Sequence, residues 1–97
     1  MMKTVLLVDD ARSVRSVYAE VIRQAGFEAQ TASSAEEALQ YIVDNGTPDL
    51  IVTDINLPGI SGLEFCKRFR KVAKFTPVLV MSALSDKGLV AEAKTVG

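Results

Sequence analysis

Four short stretches of apolar sequence punctuate this chain: Val5-Leu6-Leu7-Val8, Phe27 to Ala32, Leu50-Ile51-Val52-Thr53 and Val78-Leu79-Val80-Met81. The first, third and fourth are continuous, as in parallel strands covered on both faces. The second alternates, Phe27 and Ala29 against Glu28 and Gln30, which suits a strand at a sheet edge. Between them apolar residues recur at helical spacing. Val14, Val17, Tyr18, Val21, Ile22 and Ala25 predict a first helix stopped by Gly26. Ser34-Ala35-Glu36-Glu37 reads as a capping box opening a second, with Ala35, Ala38, Leu39, Ile42 and Val43 inward and Asn45-Gly46 as its end. After the Leu57-Pro58-Gly59 turn, Ser61-Gly62-Leu63-Glu64 opens a third, with Leu63, Cys66, Phe69 and Val72 at core spacing. Pro77 introduces the fourth strand, and a last helix is expected from about Ser85-Asp86, carrying Leu89, Val90, Ala93 and Val96 inward.

The order βαβαβαβα predicts an α/β fold, a doubly wound parallel sheet with right-handed crossovers and helices on both faces. The flavodoxin-like strand order 2-1-3-4 fits best, because it puts the alternating second strand at an edge and the first and third side by side. In such sheets ligands bind beyond the carboxyl ends of the strands. Those ends carry Asp9-Asp10 after the first strand, Asp54 after the third and Ser82 after the fourth. The fourth strand is apolar on both faces, yet a fifth βα element to cover its outer edge is not evident. The expectation is an incomplete single domain over residues 1–97, with a homo-oligomer formed through the exposed strand-four edge.

Composition narrows the chemistry. The 97 residues are 48% hydrophobic with a net charge of -1, which fits one globular domain and gives no global attraction to nucleic acid or anionic membrane. No apolar run approaches membrane-spanning length, and the single Cys66 cannot form an intrachain disulfide, so a reduced, cytoplasmic setting is expected. Cys66 reads as a small buried hydrophobe. The basic run Lys67, Arg68, Arg70, Lys71 and Lys74 reads as a solvated helix face. The chain has no histidine, which excludes histidine-based metal sites and general bases.

Taken singly, the acids have ordinary explanations: Asp10 as an N-cap, Asp9 as a partner of the helix dipole, Asp54 as a turn acid. Together they do not. Like charges about 4 Å apart repel by roughly 4 kcal/mol at an effective dielectric near 20, so three carboxylates in one crevice need protons or a cation. The ligands on offer are hard oxygens, which favours Mg2+ (or Mn2+) over zinc or copper. A carboxylate beside such an ion can attack phosphorus to give an aspartyl phosphate.

At this point the sequence resembles, over its whole length, the receiver domain of two-component response regulators. The resemblance rests on the acid pair Asp9-Asp10, on Asp54 within Val52-Thr53-Asp54-Ile55-Asn56-Leu57-Pro58-Gly59, and on Ser82-Ala83 ending a strand, in that order on four βα units. It implies that Asp9 and Asp10 bind Mg2+, that Asp54 is the phosphoacceptor and a ligand, that Asn56 contributes its backbone carbonyl to the metal, and that Ser82 is the switch hydroxyl. The implied partner is a histidine kinase or phosphotransfer protein. The implied activity is limited to self-phosphorylation and self-dephosphorylation, so the chain is not expected to be an enzyme, and it should not contact nucleic acid or membrane itself. Receiver domains continue into a fifth strand ending in a lysine and into a fifth helix, neither of which is evident here, so impaired phosphorylation is expected. Two other functions compete. A haloacid-dehalogenase-type phosphatase fails at its D-x-D motif, since Asp9-Asp10 are adjacent and followed by Ala11-Arg12. A structural or dimerising module with a non-switching acidic site is the alternative.

Overall fold

In the computed structural model, which describes residues 2–55, 57, 59–73, 75–82 and 92–95, the apolar runs become strands and the periodic segments helices. The described elements are β1 (Thr4–Val8), α1 (Arg12–Gln24), β2 (Glu28–Ala32), α2 (Ala35–Asn45), β3 (Leu50–Asp54), α3 (Gly62–Val72), β4 (Val78–Ser82) and β5 (Glu92–Thr95). They form one sheet in the order β2-β1-β3-β4-β5, and the first four strands are parallel. The 2-1-3-4 arrangement predicted from the run types is therefore present, with β1 and β3 adjacent in its interior.

Strand period decides which residues meet which helices. Leu6 and Val8 of β1, Ile51 of β3 and Val78 and Val80 of β4 join Ala35, Ala38 and Ile42 of α2 and Phe65, Cys66 and Phe69 of α3 in one buried cluster. Phe65 and Phe69 stack with centroids 6.2 Å apart. Full burial of side chains of this size contributes about 1.5–3 kcal/mol each, so this layer dominates the stability. On the opposite face Val5, Leu7 and Ala29 are buried with Ala19 of α1, which packs on β1 and β2. Val52, Leu79 and Met81 are only half-buried.

The helical stripes are narrower than their spacing suggested. Residues three apart drift by about 60° per step, so Leu63 and Val72 fall on opposite sides of α3, and both are exposed, at 47% and 66%. The core of that helix is Phe65, Cys66, Phe69 and, just past it, Ala73. Val43 of α2 is likewise exposed. In α1 the correction is larger: the expected core residues Val17 and Val21 face solvent, and Ala19 is the buried one. The sheet-facing arc holds Arg15, Ala19 and Ile22, and Val17 and Val21 lie about 120–160° around the helix from Arg15. Small Ala19 lets the helix sit close, and Arg15 is drawn inward because its Nη1 donates to the backbone carbonyl of Asp9 at 2.8 Å.

The C-terminal expectation also changes. The predicted start of a last helix near Ser85-Asp86, with Leu89, Val90 and Val96, lies outside the described residues. Ala93, assigned to that helix, is instead in β5, which pairs antiparallel with β4 in the register Val80↔Lys94 and Met81↔Ala93. The outer edge of β4 is thus occupied, and the expected oligomer contact through a bare edge loses its basis. The physical reason is that an interior-type strand carries a full row of backbone donors and acceptors, and pairing them outweighs local helix preference. Glu92-Ala93-Lys94-Thr95 also alternates charged and small residues, a composition common in edge strands.

The capping boxes form by one arm each. Ser34 Oγ accepts from Glu37 N–H and Ser61 Oγ from Glu64 N–H, both at 3.1 Å. The glutamates do not reach back: Glu37 accepts from Ser33 Oγ at 2.7 Å and Glu64 pairs with Arg68. Within the basic run, Lys67, Arg68 and Lys71 are solvated as expected, and Lys74 lies outside the described residues. Arg70 differs. Half-buried over the Phe69 ring, it donates from Nη1 to the carbonyls of Ala73 (3.1 Å) and Thr76 (2.6 Å), tying the end of α3 to the approach to β4. Hydrogen bonds from charged donors outweigh a neutral cap, so Arg70→Met should cost about 2 kcal/mol of unfolding free energy and Ser34→Ala about 1 kcal/mol, a ranking readable from urea denaturation midpoints.

Candidate functional site

The pairing of β1 with β3 sets the register Val8↔Thr53, so the next residue of each strand, Asp9 and Asp54, emerges at the same carboxyl edge. Both are rooted by continuing hydrogen bonds. Asp9 N–H donates to Ala32 of β2 at 3.1 Å, and Ile55 N–H donates to Met81 of β4 at 2.9 Å. Thr53, fully buried, donates its hydroxyl to the Asp54 carbonyl at 3.1 Å. The acids are consequently held by the sheet and by the turns that begin where it ends.

Asp9, Asp10 and Asp54 each place a carboxylate oxygen within 4.8 Å of the other two. Their environments differ: Asp9 is 5% exposed, Asp54 half-buried and Asp10 exposed. Asp9 Oδ1 accepts the Ala11 N–H at 2.9 Å. Burial pushes the Asp9 carboxyl above its ordinary value, and the charges of Asp54 and Asp10 push the same way. The Ala11 hydrogen bond and the nearby Arg15 guanidinium oppose them without cancelling the rise. Part of the cost of ionising Asp9 is thus repulsion that a bound cation removes.

The N-cap role open to Asp10 is not taken up. The N-cap of α1 is Ala11, with no side-chain cap, so Asp10 does not cap the helix, and the first turn of α1 contains no acid. Donor chemistry fits a hard divalent cation such as Mg2+, because every side-chain ligand gathered here is carboxylate oxygen and Cys66 is buried within the α3 layer.

Of the other predicted residues, Ser82 closes β4 one position beyond Met81, the partner of Asp54, so its backbone reaches the same edge. Asn56 and Ala83 lie outside the described residues. Sequence reading missed Arg15, whose bond to the Asp9 carbonyl fixes the turn leading into α1. Its signal was present, since Arg15 falls one helical turn before Ala19, but the valines suggested a different inward face. The loop after β3 turns at Gly59, with φ 84°, where a Cβ would come within 2.8 Å of Glu36 Oε2 on α2. The backbone conformation explains glycine in the Leu57-Pro58-Gly59 turn, since the Glu36 carboxylate is the far end of a flexible side chain.

Comparison with known proteins bears on this arrangement. The family model for the response regulator receiver domain matches residues 5–97. The chain is similar to the sporulation initiation phosphotransferase F of Bacillus subtilis, with 31% identity over 97 residues, covering all of this chain and 77% of that protein. It is 36% identical over 87 residues to the alkaline phosphatase synthesis transcriptional regulatory protein PhoP of the same organism, covering 90% of this chain and 36% of that one. The chain spans about a third of the length of several such transcriptional regulators. A chemotaxis response regulator of Vibrio cholerae superposes with a TM-score of 0.80 at 35% identity, over 89% of this chain and 72% of that one. The response regulator TrrA of Thermotoga maritima, solved in complex with Mg2+ and BeF, gives a TM-score of 0.80 at 39% identity, over 87% and 72%. Among the described residues no helix is long and apolar enough to cross a membrane. The acid-tipped interior strands and the family match over nearly the whole sequence lead to one assignment: the chain belongs to the response regulator receiver domain family of two-component systems.

Proposed function

We propose that this receiver is a phosphoacceptor, with Asp54 taking a phosphoryl group from a phosphohistidine on a histidine kinase or phosphotransfer protein. The observation that carries the reading is the convergence of three carboxylates within 4.8 Å at the end of adjacent parallel strands. Asp9 and Asp10 would hold Mg2+ (or Mn2+) together with Asp54, and the Asn56 carbonyl is a further proposed ligand. When bound, the ion supplies positive charge that offsets the carboxylates and the transferring phosphoryl oxygens.

A carboxylate oxygen of Asp54 attacks phosphorus while the N–P bond of the donor breaks. The bonding pair stays on the imidazole nitrogen, which takes a proton from solvent. Asp54 suits this task better than Asp9: it is partly accessible, whereas Asp9 is buried and already accepts the Ala11 N–H. The donor histidine lies outside these 97 residues, which contain none. The Ser82 hydroxyl is the proposed switch donor to the phosphoryl group, and loss of phosphate would occur by hydrolysis of the acyl phosphate. Val17 and Val21, one turn apart and exposed on the helix that starts beside the acids, offer the donor an apolar contact.

Incubation with Mg2+ and a small acyl-phosphate donor should give a phosphoryl adduct by mass spectrometry that Asp54→Asn abolishes. An adduct that survives in Asp54→Asn would move the acceptor elsewhere, and no adduct with any donor would favour the structural module. Val17→Asp should slow transfer from a phosphotransfer protein at least about tenfold while leaving labelling by the small donor unchanged, which separates docking from chemistry.

The raised Asp9 carboxyl sets the sign of the pH effects. A carboxyl whose folded value exceeds its unfolded one favours the fold in its protonated form, so its ionisation lowers stability as pH rises through the folded value. Without metal, Asp9→Asn should therefore raise the melting temperature at neutral pH and abolish the further rise given by Mg2+ in the parent chain. In the parent, the Mg2+-induced rise should shrink as pH falls from neutral toward the Asp9 value, which lies above 3.8, because protons then compete with the ion. Differential scanning calorimetry across that range is the check.

A further inference from the structure

A second concentration of charge lies on the β2 side of α1, apart from the acids' carboxylates and of opposite sign. Arg12, Arg15, Ser16, Ala19 and Arg23 of α1, with Thr31 of β2, line one cavity of about 240 Å³. At about 100° per residue the five helical positions fall within an arc of about 100°, on the far side of the helix from Val17 and Val21. Ser16 and Ala19 are short, and the space they leave between arginines is what makes the groove. Two of the guanidinium groups are already fixed by main-chain carbonyls: Arg15 Nη1 donates to Asp9 at 2.8 Å and Arg23 Nη2 to Ala29 at 3.4 Å.

The groove has no carboxylate in its lining. On the same two elements, Glu20 accepts from Gln24 at 3.3 Å and Glu28 from Gln30 at 3.0 Å. Among the described residues Arg12, Arg15 and Arg23 make no side-chain ion pair. Three cations thus share a mostly polar cavity with two hydroxyls and no carboxylate in its lining, the Asp9 carboxyl beside Arg15 lying outside it, in a chain whose net charge is -1. Guanidinium groups in such a setting match phosphate oxygens, which accept two parallel N–H bonds from each fork.

The spacing selects among phosphates. Arg12 and Arg23 are eleven residues apart, about 16 Å along the axis, too far for one phosphate to engage both ends. At about 240 Å³ the cavity is smaller than pockets that enclose drug-sized ligands, about 300–1,000 Å³, so it suits a slender chain better than a ring system. We propose that this groove binds a linear oligophosphate of three or more phosphoryl groups, either inorganic or as the phosphate tail of a nucleotide left projecting into solvent. Since it begins at the turn that Arg15 holds against Asp9, occupancy would bear on the acid pocket through that shared residue.

Isothermal titration calorimetry of the chain with inorganic tripolyphosphate, in EDTA and moderate salt, tests this apart from the acid site. Saturable binding at one site is expected, weaker binding by orthophosphate, and about a tenfold loss in each of Arg12→Gln and Arg23→Gln. The Arg12 side chain makes no hydrogen bond among the described residues, so its replacement leaves the fold intact, which a circular dichroism melt verifies. Arg68→Gln, on α3 and away from the groove, should bind as the parent does. A nucleoside triphosphate binding no more tightly than tripolyphosphate assigns recognition to the phosphate chain alone, and tighter binding assigns the source to nucleotides. Absence of saturable binding, or an equal loss in Arg68→Gln, overturns the proposal.

Discussion

The side-by-side pairing of β1 and β3 is the constraint on which the rest depends. Both strands are apolar on both faces, so they are stable only inside the sheet, where helices cover each side. Both end in acid, and with the register Val8↔Thr53 there is no arrangement of the backbone that keeps Asp9 and Asp54 apart. The hydrophobic layer of Leu6, Val8, Ile51, Val78 and Val80 against α2 and α3 therefore holds three like charges within 4.8 Å. The repulsion is offset by burial elsewhere, and the site is poised to gain from a cation.

Around this pocket the fold distributes its polar groups by reach. Asp9 is satisfied locally by the Ala11 N–H, and its carbonyl by Arg15. Arg15 can do this only because α1 is rotated so that its arginine side, not its valine side, flanks the sheet. The same rotation leaves Val17 and Val21 in solvent and gathers Arg12, Arg15 and Arg23 along one groove. A single long side chain seeking one carbonyl thus ties the orientation of α1 to the acid turn, and both surfaces of the helix follow from it.

Much of this was legible in the residues. Continuous against alternating apolar runs predict the strand order, and they mark Asp9, Asp10 and Asp54 because buried parallel strands deliver the residues at their ends to one edge. Helix orientation was not legible to the same degree. On α3 the positions at i+3 spacing wind half-way around the helix, so Leu63 and Val72 could not both be core, and Phe65 beside Cys66 marked the true face. On α1 five aliphatic and aromatic positions outweighed one small residue in the pattern, although Ala19 is where close packing occurs. At the C-terminal end, Glu92–Thr95 joined the sheet because β4 needed backbone partners, a demand made by a strand distant in sequence.

Sequence by itself determined what local chemistry can specify: the alternation of strands and helices, the serine caps, the acids at strand ends, and a ligand set of hard oxygen without histidine. These depend on periodicity and on a residue's immediate neighbours. Only the tertiary structure decided which arc of α1 faces the sheet, that burial and then two neighbouring charges raise the Asp9 carboxyl, that Arg70 ties α3 to β4, and that three arginines line one groove. Each of those depends on desolvation or Coulomb interaction across elements far apart in the chain, and these energies take their values only once packing has fixed distance and exposure.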